Sequence, residues 1–187
     1  MKKDIIGIDI SKDKLDFCIL EAEKVEVKQR GVFTNDQRSI KKWLKQYDNK
    51  NVVFALEHTG HYGANLAHCL TECGFKYYLI NPLTLKRSLG IQRGKTDEKD
   101  AYRIADYTLR HQHNMKAYEL PTENLRKLKA MITARERYVK ISVQIQNSLK
   151  ANKILNKTVN VKTLIKEEEK QLKNISKAIH NIEKEMK

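Results

Sequence analysis

The first part of the chain alternates apolar and polar residues in the manner of β-strands. Three such runs, which we expect to be strands, cover residues 4–10, 14–20 and 24–33. Short polar turns separate them, and because short turns join antiparallel neighbours, we expect these strands to be antiparallel. Two further apolar runs, 52–56 and 75–80, each follow a segment with helical spacing. The order βββαβαβα predicts a mixed sheet, in which an antiparallel meander precedes parallel strands joined by right-handed helical crossovers.

The pattern changes after Pro82. Residues 83–95 read as a loop, and a helix is predicted from about Thr96 to His111. Beyond Pro121 there is no Gly or Pro, and apolar spacings of three and four predict one long helix over residues 122–155. The pattern therefore divides the chain into an α/β domain, residues 1–120, and a helical region, residues 121–187.

The last helix carries a heptad seam with Glu168 as its one polar member. The apolar seam positions are Val161, Ile165, Leu172, Ile175, Ile179, Ile182 and Met186. This spacing predicts a coiled coil, and a helix that packs on its own domain gives the same pattern.

Composition limits the classes of protein to which the chain can belong. Its 187 residues are 40% hydrophobic, which is too apolar for a wholly disordered chain. The longest apolar stretch is about five residues, so neither a membrane span nor a secretory signal is expected. Three cysteines in apolar surroundings favour reduced thiols, and we expect a cytoplasmic protein.

The net charge of +14 is unevenly distributed. Residues 1–83 carry +2, residues 84–150 carry +8 and residues 151–187 carry +4. A basic second half suits a polyanion, because Lys and Arg contacts to phosphates release condensed counterions. A solvated, lysine-rich helix surface would have the same composition.

Four acidic residues lie at the ends of predicted strands or at the start of a predicted helix, where they could form a functional site. Asp9 lies among buried isoleucines near the end of the first strand, and Glu57 ends the fourth. An Asp in a core strand is costly unless it is compensated, although Asp9 could instead cap the following turn. If the first and fourth strands are adjacent and parallel, Asp9 and Glu57 become neighbours at the edge where functional groups collect.

The other two acids, Asp97 and Asp100, share one face at the start of a helix. Ordinary helix capping would use the same residues. Taken together, four converging carboxylates repel one another unless they are protonated or hold cations, and an all-oxygen donor set suits Mg²⁺ or Mn²⁺. Two such ions would clamp the attacking and leaving oxygens of a phosphodiester.

Several segments together resemble the DEDD transposases of the insertion-sequence 110 group, which are related to the Piv-type DNA invertases. These segments are GIDISKDKLDF (7–17), EHTGHYG (57–63), Asn81-Pro82 and KTDEKDA (95–101). The resemblance implies a RuvC-like, RNase H-type catalytic domain. It also implies that Asp9, Glu57, Asp97 and Asp100 are the catalytic, metal-binding acids of a metal-dependent DNA recombinase.

The resemblance further implies partners for this prokaryotic protein. These are DNA, a structured bridge RNA that pairs with donor and target DNA, and a second copy bound through a coiled coil. The expected setting is the cytoplasm, on the nucleoid. A catalytic-serine domain follows the coiled coil in that family; because this chain ends at Lys187 inside the heptad helix, we expect it to be the N-terminal portion of a longer recombinase.

Other interpretations remain open at this point. A RuvC-type junction resolvase or nuclease would share the acids, a non-catalytic nucleic-acid-binding dimerisation module would share the basic half, and an actin-type sugar kinase would share the first-strand Gly-x-Asp. Zinc is not expected from His58, His61, Cys69 and Cys73, whose spacing matches no familiar ligand set. Candidate phosphate contacts are Lys86, Arg87, Arg93 and Lys95.

Overall fold

The computed structural model describes residues 3–58, 60–88 and 97–186, with the side chains of residues 97 and 98 left undescribed. The chain forms two compact units, Met1–Leu120 and Pro121–Lys187. The first unit contains a five-stranded sheet with helices on both faces, and the second contains two long helices.

The sheet is built from β1 (Asp4–Ile10), β2 (Lys14–Glu21), β3 (Glu26–Thr34), β4 (Val52–Glu57) and β5 (Tyr77–Ile80). Its order is β3-β2-β1-β4-β5. β2 is antiparallel to both β1 and β3, whereas β4 runs parallel to β1 and β5. The predicted mixed sheet with flanking helices is confirmed, and its order and directions are those of an RNase H-type sheet.

Helices cover the two faces of the sheet separately. One face packs against α1 (Gln37–Leu44) and α2 (Ala64–Glu72) around the rings of Phe17, Trp43 and Phe54. α1 begins where Asp36 accepts a hydrogen bond of 2.9 Å from the Ser39 amide. The other face packs against α4 (Asp97–His111), whose Ala101, Ile104 and Ala105 are buried.

The predicted loop after Pro82 is wrong in its first half, because residues Pro82–Ser88 form a short helix, α3. Asn81 starts it by accepting a 2.8 Å hydrogen bond from the Leu83 amide. Proline suits the first position of a helix, since its missing N–H would have no helical partner there. An Asn-Pro pair that ends a strand can therefore also begin a helix.

The second unit is an antiparallel pair of helices, α5 (Glu123–Leu155) and α6 (Lys162–Glu185). Their direction is fixed by ion pairs that join the start of one helix to the end of the other: Lys127–Glu185, Arg135–Glu183 and Lys153–Glu169. The heptad seam of α6 is half-buried, and neither helix contains a fully buried residue. The predicted helices are confirmed; a coiled coil with a second copy stays a prediction.

Glu168, the polar residue of the α6 seam, is hydrogen-bonded to two residues of α5. Glu168 accepts hydrogen bonds from Ser148 at 2.6 Å and from Asn152 at 3.0 and 3.1 Å, both on α5. The polar residue in one helix thus meets two polar residues in the other, which fixes the register of the pair.

Candidate functional site

The centre of the candidate site is the end of two adjacent parallel strands, β1 and β4. Ile8 pairs with Leu56 in the register, so the next residues, Asp9 and Glu57, occupy neighbouring positions. Ile8 and Leu56 lie in the core under α1 and α2. Because side chains alternate along a strand, Asp9 and Glu57 belong to the opposite face, which α4 covers. The first and fourth strands are adjacent and parallel, which is the condition under which the sequence places Asp9 beside Glu57.

Helix α4 lies directly on this face because of Gly7. A Cβ built on Gly7 would clash with the Ala101 carbonyl oxygen, and would lie 2.5 Å from the Ala105 amide nitrogen. Only a glycine allows the helix backbone to come so close to the strand. Asp97 is the first residue of α4 and precedes Ala101 by about one turn.

Asp100 is held by a neighbour on its own helix. Arg103 donates a hydrogen bond from Nη1 to Asp100 Oδ1 at 2.6 Å, and both side chains are only 16% exposed. This pairing was not predicted from the sequence. It compensates the Asp100 carboxylate and limits the directions in which its oxygens can turn.

A further acid lies beside the predicted ones. Asp16 is directly opposite Asp9 in the β1–β2 register and therefore on the same face, and it is 7% exposed. Lys14 places its ammonium group 3.1 Å from Asp16 Oδ2. The sequence did contain this signal: an antiparallel pair closed by the turn at residues 11–13 sets Asp16 across from Asp9.

Two more polar side chains, those of Cys18 and Arg30, lie near Asp16 on the face of the sheet that α4 covers. Cys18 is buried there, and burial raises the pKa of its thiol, while a hydrogen bond with Arg30 opposes that rise. The Arg30 guanidinium lies 5.7 Å from the centre of the Tyr102 ring on α4. A cation–π contact therefore joins β3 to α4 beside the candidate site.

The carboxylates offer oxygen donors only, which is the chemistry that Mg²⁺ and Mn²⁺ prefer. Among the side chains that the structure describes, no group of three or more His, Cys, Asp or Glu could hold a metal ion. The Asp97 carboxylate lies outside those side chains. The donor chemistry of the set suits a divalent ion, and the described positions place Asp9 and Glu57 side by side.

The predicted phosphate contacts are placed in part. Lys86 and Arg87 are exposed in the last turn of α3. Arg93 and Lys95 lie outside the described residues.

Cys69 is buried on the apolar face of α2, and burial raises the pKa of its thiol. In the described ranges, no helix is long and apolar enough to cross a lipid bilayer.

Comparison with known proteins gives a family match over most of the chain. Residues 6–160 match the sequence model of the DEDD transposases of the insertion-sequence 110 group, which is described as a transposase family. The pilin gene-inverting proteins of Moraxella bovis and Moraxella lacunata are each 32% identical to the chain over 146 residues. These matches cover 74% of this chain and 44% of each relative, so the chain spans less than half of their length.

Two solved structures of Thermus thermophilus RuvC are also similar. One, in complex with a Holliday junction substrate, has a TM-score of 0.47 and 13% identity, and the match covers 63% of this chain and 100% of that one. The other has a TM-score of 0.46 and 14% identity, with 62% and 99% covered. The fold assignment rests on the strand order and directions described above.

Proposed function

This chain belongs to the DEDD transposase family of the insertion-sequence 110 group, and we propose on that premise that it cleaves and exchanges DNA strands in a site-specific recombination reaction. The observation that carries the proposal is the neighbouring position of Asp9 and Glu57 at the ends of β1 and β4, on the face covered by α4. Residues 1–120 would be the catalytic domain, and residues 121–187 a helical region that supports assembly.

The proposed cofactor is Mg²⁺ or Mn²⁺, with two ions held by Asp9, Glu57, Asp97 and Asp100. Bound ions would stabilise the charge on the attacking and leaving oxygens of the phosphodiester. The protein's own contribution is positional. The contact of Gly7 with Ala101 and Ala105 fixes α4 against β1, and Arg103 orients the Asp100 carboxylate.

The proposed partners follow from the family and from charge. DNA would be the substrate, a structured bridge RNA would supply sequence specificity by base pairing, and the protein would hold nucleic-acid backbones. Lys86 and Arg87, exposed at the end of α3, are the described candidates for such contacts. A second copy would bind through the helices of the second unit. The proposed setting is the prokaryotic cytoplasm, on the nucleoid.

The test is DNA strand cleavage by the chain in Mg²⁺, with bridge RNA supplied. We expect cleavage that EDTA abolishes and that Asp9→Ala and Glu57→Ala each reduce by at least about a hundredfold, since removing a metal ligand removes the charge stabilisation of the transition state. Asp13→Ala is the matched control, because Asp13 is exposed in the turn after β1 and cleavage should be unchanged.

The second candidate is a module that binds nucleic acid without cutting it, in which the Asp100–Arg103 ion pair would stabilise α4 only. DNA binding with no cleavage, together with no saturable Mn²⁺ binding by the chain, would overturn the catalytic proposal and support this module instead.

A further inference from the structure

All six lysines of α6 lie on one side of the helix. At 100° per residue they fall within an arc of about 80°, and they extend over about 33 Å of helix length. They are Lys162, Lys166, Lys170, Lys173, Lys177 and Lys184, which we call the lysine stripe. Every one of them is exposed, as is His180 in the same arc.

The glutamates of α6 lie outside this stripe, and most of them contact α5. Glu169, Glu183 and Glu185 form ion pairs with lysine or arginine residues of α5, and Glu168 accepts hydrogen bonds from α5. Four of the five glutamates of the helix are thus used by the partner helix. No described ion pair involves a lysine of the stripe.

This arrangement leaves a row of like charges that no described ion pair offsets. Lys162 and Lys166, Lys166 and Lys170, and Lys173 and Lys177 are each four residues apart, a spacing at which like charges destabilise a helix. The packing of α6 on α5 does not use the stripe, because the half-buried seam lies on the other side of the helix. A polyanion bound along the stripe would relieve the repulsion.

We propose that the lysine stripe binds the phosphate backbone of double-stranded DNA without reading its sequence. A straight row of cations over about 33 Å suits a regular duplex, which carries one negative charge per about 1.7 Å of its axis. Helix α6 contains no Phe, Tyr or Trp for base stacking and no arginine for bidentate base contacts, so the stripe is suited to phosphate contacts. The choice of DNA over RNA rests on the proposed function.

The experiment measures binding of the full chain to a 30-base-pair DNA duplex of arbitrary sequence by fluorescence anisotropy over a series of salt concentrations. The stripe variant is K166Q/K173Q/K177Q. The matched control is K129Q/K140Q/K150Q, which removes the same charge from three exposed lysines of α5 that form no described ion pair. A third variant, K166R/K173R/K177R, keeps the charge.

We expect the stripe variant to bind at least about tenfold more weakly and to lower the slope of log K against log salt by about 2 to 3, since each phosphate contact contributes about 0.9. The α5 control should change the slope by less than about 1, and the arginine variant should bind like the original chain. Circular dichroism should give the same helix content for all of them.

Equal losses in the stripe variant and the α5 control would overturn the proposal, because they would show attraction to net charge alone. An unchanged stripe variant would also overturn it. So would a stripe variant that keeps DNA binding but loses binding to an RNA duplex or to anionic phosphatidylserine vesicles. The salt slope is measured without Mg²⁺ and does not depend on strand cleavage, so the failure of cleavage and the failure of the stripe are separate results.

Discussion

Gly7 of β1 lies so close to Ala105 of α4 that a Cβ built on Gly7 would come within 2.8 Å of the Ala105 Cβ. The helix that begins with Asp97 is therefore seated on the strand that carries Asp9. Gly7→Ala should push α4 away from the sheet and lower the free energy of unfolding by about 2 kcal/mol, since the obstacle includes helix backbone.

Chemical denaturation followed by Trp43 fluorescence measures this change, because Trp43 is the only tryptophan and is buried in the first unit. Gly31→Ala is the comparison: its new methyl would meet the side chain of Phe17 and no helix backbone, so the loss should be smaller. Equal stability of the Gly7 variant and the original chain would contradict the close packing of α4 on β1.

The Asp100–Arg103 pair should be stronger than the second Asp–Arg pair on the same helix. Both members of the first pair are 16% exposed, whereas Arg110, which pairs with Asp106, is 67% exposed and retains its hydration. A double-mutant cycle with alanine should give a coupling energy of about 1 to 2 kcal/mol for Asp100 and Arg103, and below about 1 kcal/mol for Asp106 and Arg110. Equal couplings from urea denaturation would reject this difference in solvent screening.

The Asp36 cap should make the stability of the first unit depend on pH. A backbone hydrogen bond from Ser39 lowers the pKa of Asp36 below its ordinary value of 3.8. The ionised carboxylate therefore adds stability above about pH 3.8, and this is lost as the pH falls through the lower folded-state pKa. Asp36→Ala should lower the melting temperature at pH 7, and the difference from the original chain should shrink in acid.

Asp36→Asn is the control for the cap, since asparagine accepts the same hydrogen bond and does not titrate in this range. It should keep the melting temperature at pH 7. A difference between Asp36→Ala and the original chain that persists undiminished below the folded-state pKa would show that ionisation of Asp36 does not contribute.

The seam of α6 should stabilise the second unit without contributing to the first. Ile175 is half-buried, whereas the adjacent Ser176 is exposed. Ile175→Asp should lower the free energy of unfolding of the second unit by about 2 kcal/mol, because it places a charge in an apolar contact. Ser176→Asp should have little effect on this free energy.

Circular dichroism follows the helices in this experiment, and Trp43 fluorescence follows the first unit. The fluorescence transition should be the same in both variants. If Ile175→Asp and Ser176→Asp shift the helix transition equally, the seam does not pack as described. Light scattering on the same samples tests whether the seam also holds two copies together.

Much of the sheet could be predicted because strand alternation and chain reversal are local properties. The alternation that buries Ile8 and Leu56 also sets Asp9 and Glu57 on the opposite face, whereas the parallel pairing of their strands enters the sequence argument only as a condition, which the structure meets. The helix at residues 82–88 was missed because Pro82 was read only as the end of a strand, although proline also begins helices.

Other features depend on tertiary contacts that a pattern does not contain. The sequence placed Asp100 near the helix start, but the choice of Arg103 as its partner depends on how both side chains are enclosed. Heptad spacing identified the apolar face of α6, but not that α5 of the same chain covers it. Heptad spacing shows Glu168 as an interruption of the seam, but its hydrogen bonds with Ser148 and Asn152 depend on how α5 and α6 pack together.

The most direct test of the central claim is a calorimetric titration of the chain with Mn²⁺, which does not depend on strand cleavage. We expect saturable binding that Asp9→Asn and Glu57→Gln each weaken by at least about tenfold, and that Asp13→Asn leaves unchanged. No saturable binding by the original chain, or the same affinity in all of these variants, would contradict the assignment of Asp9 and Glu57 to a metal site.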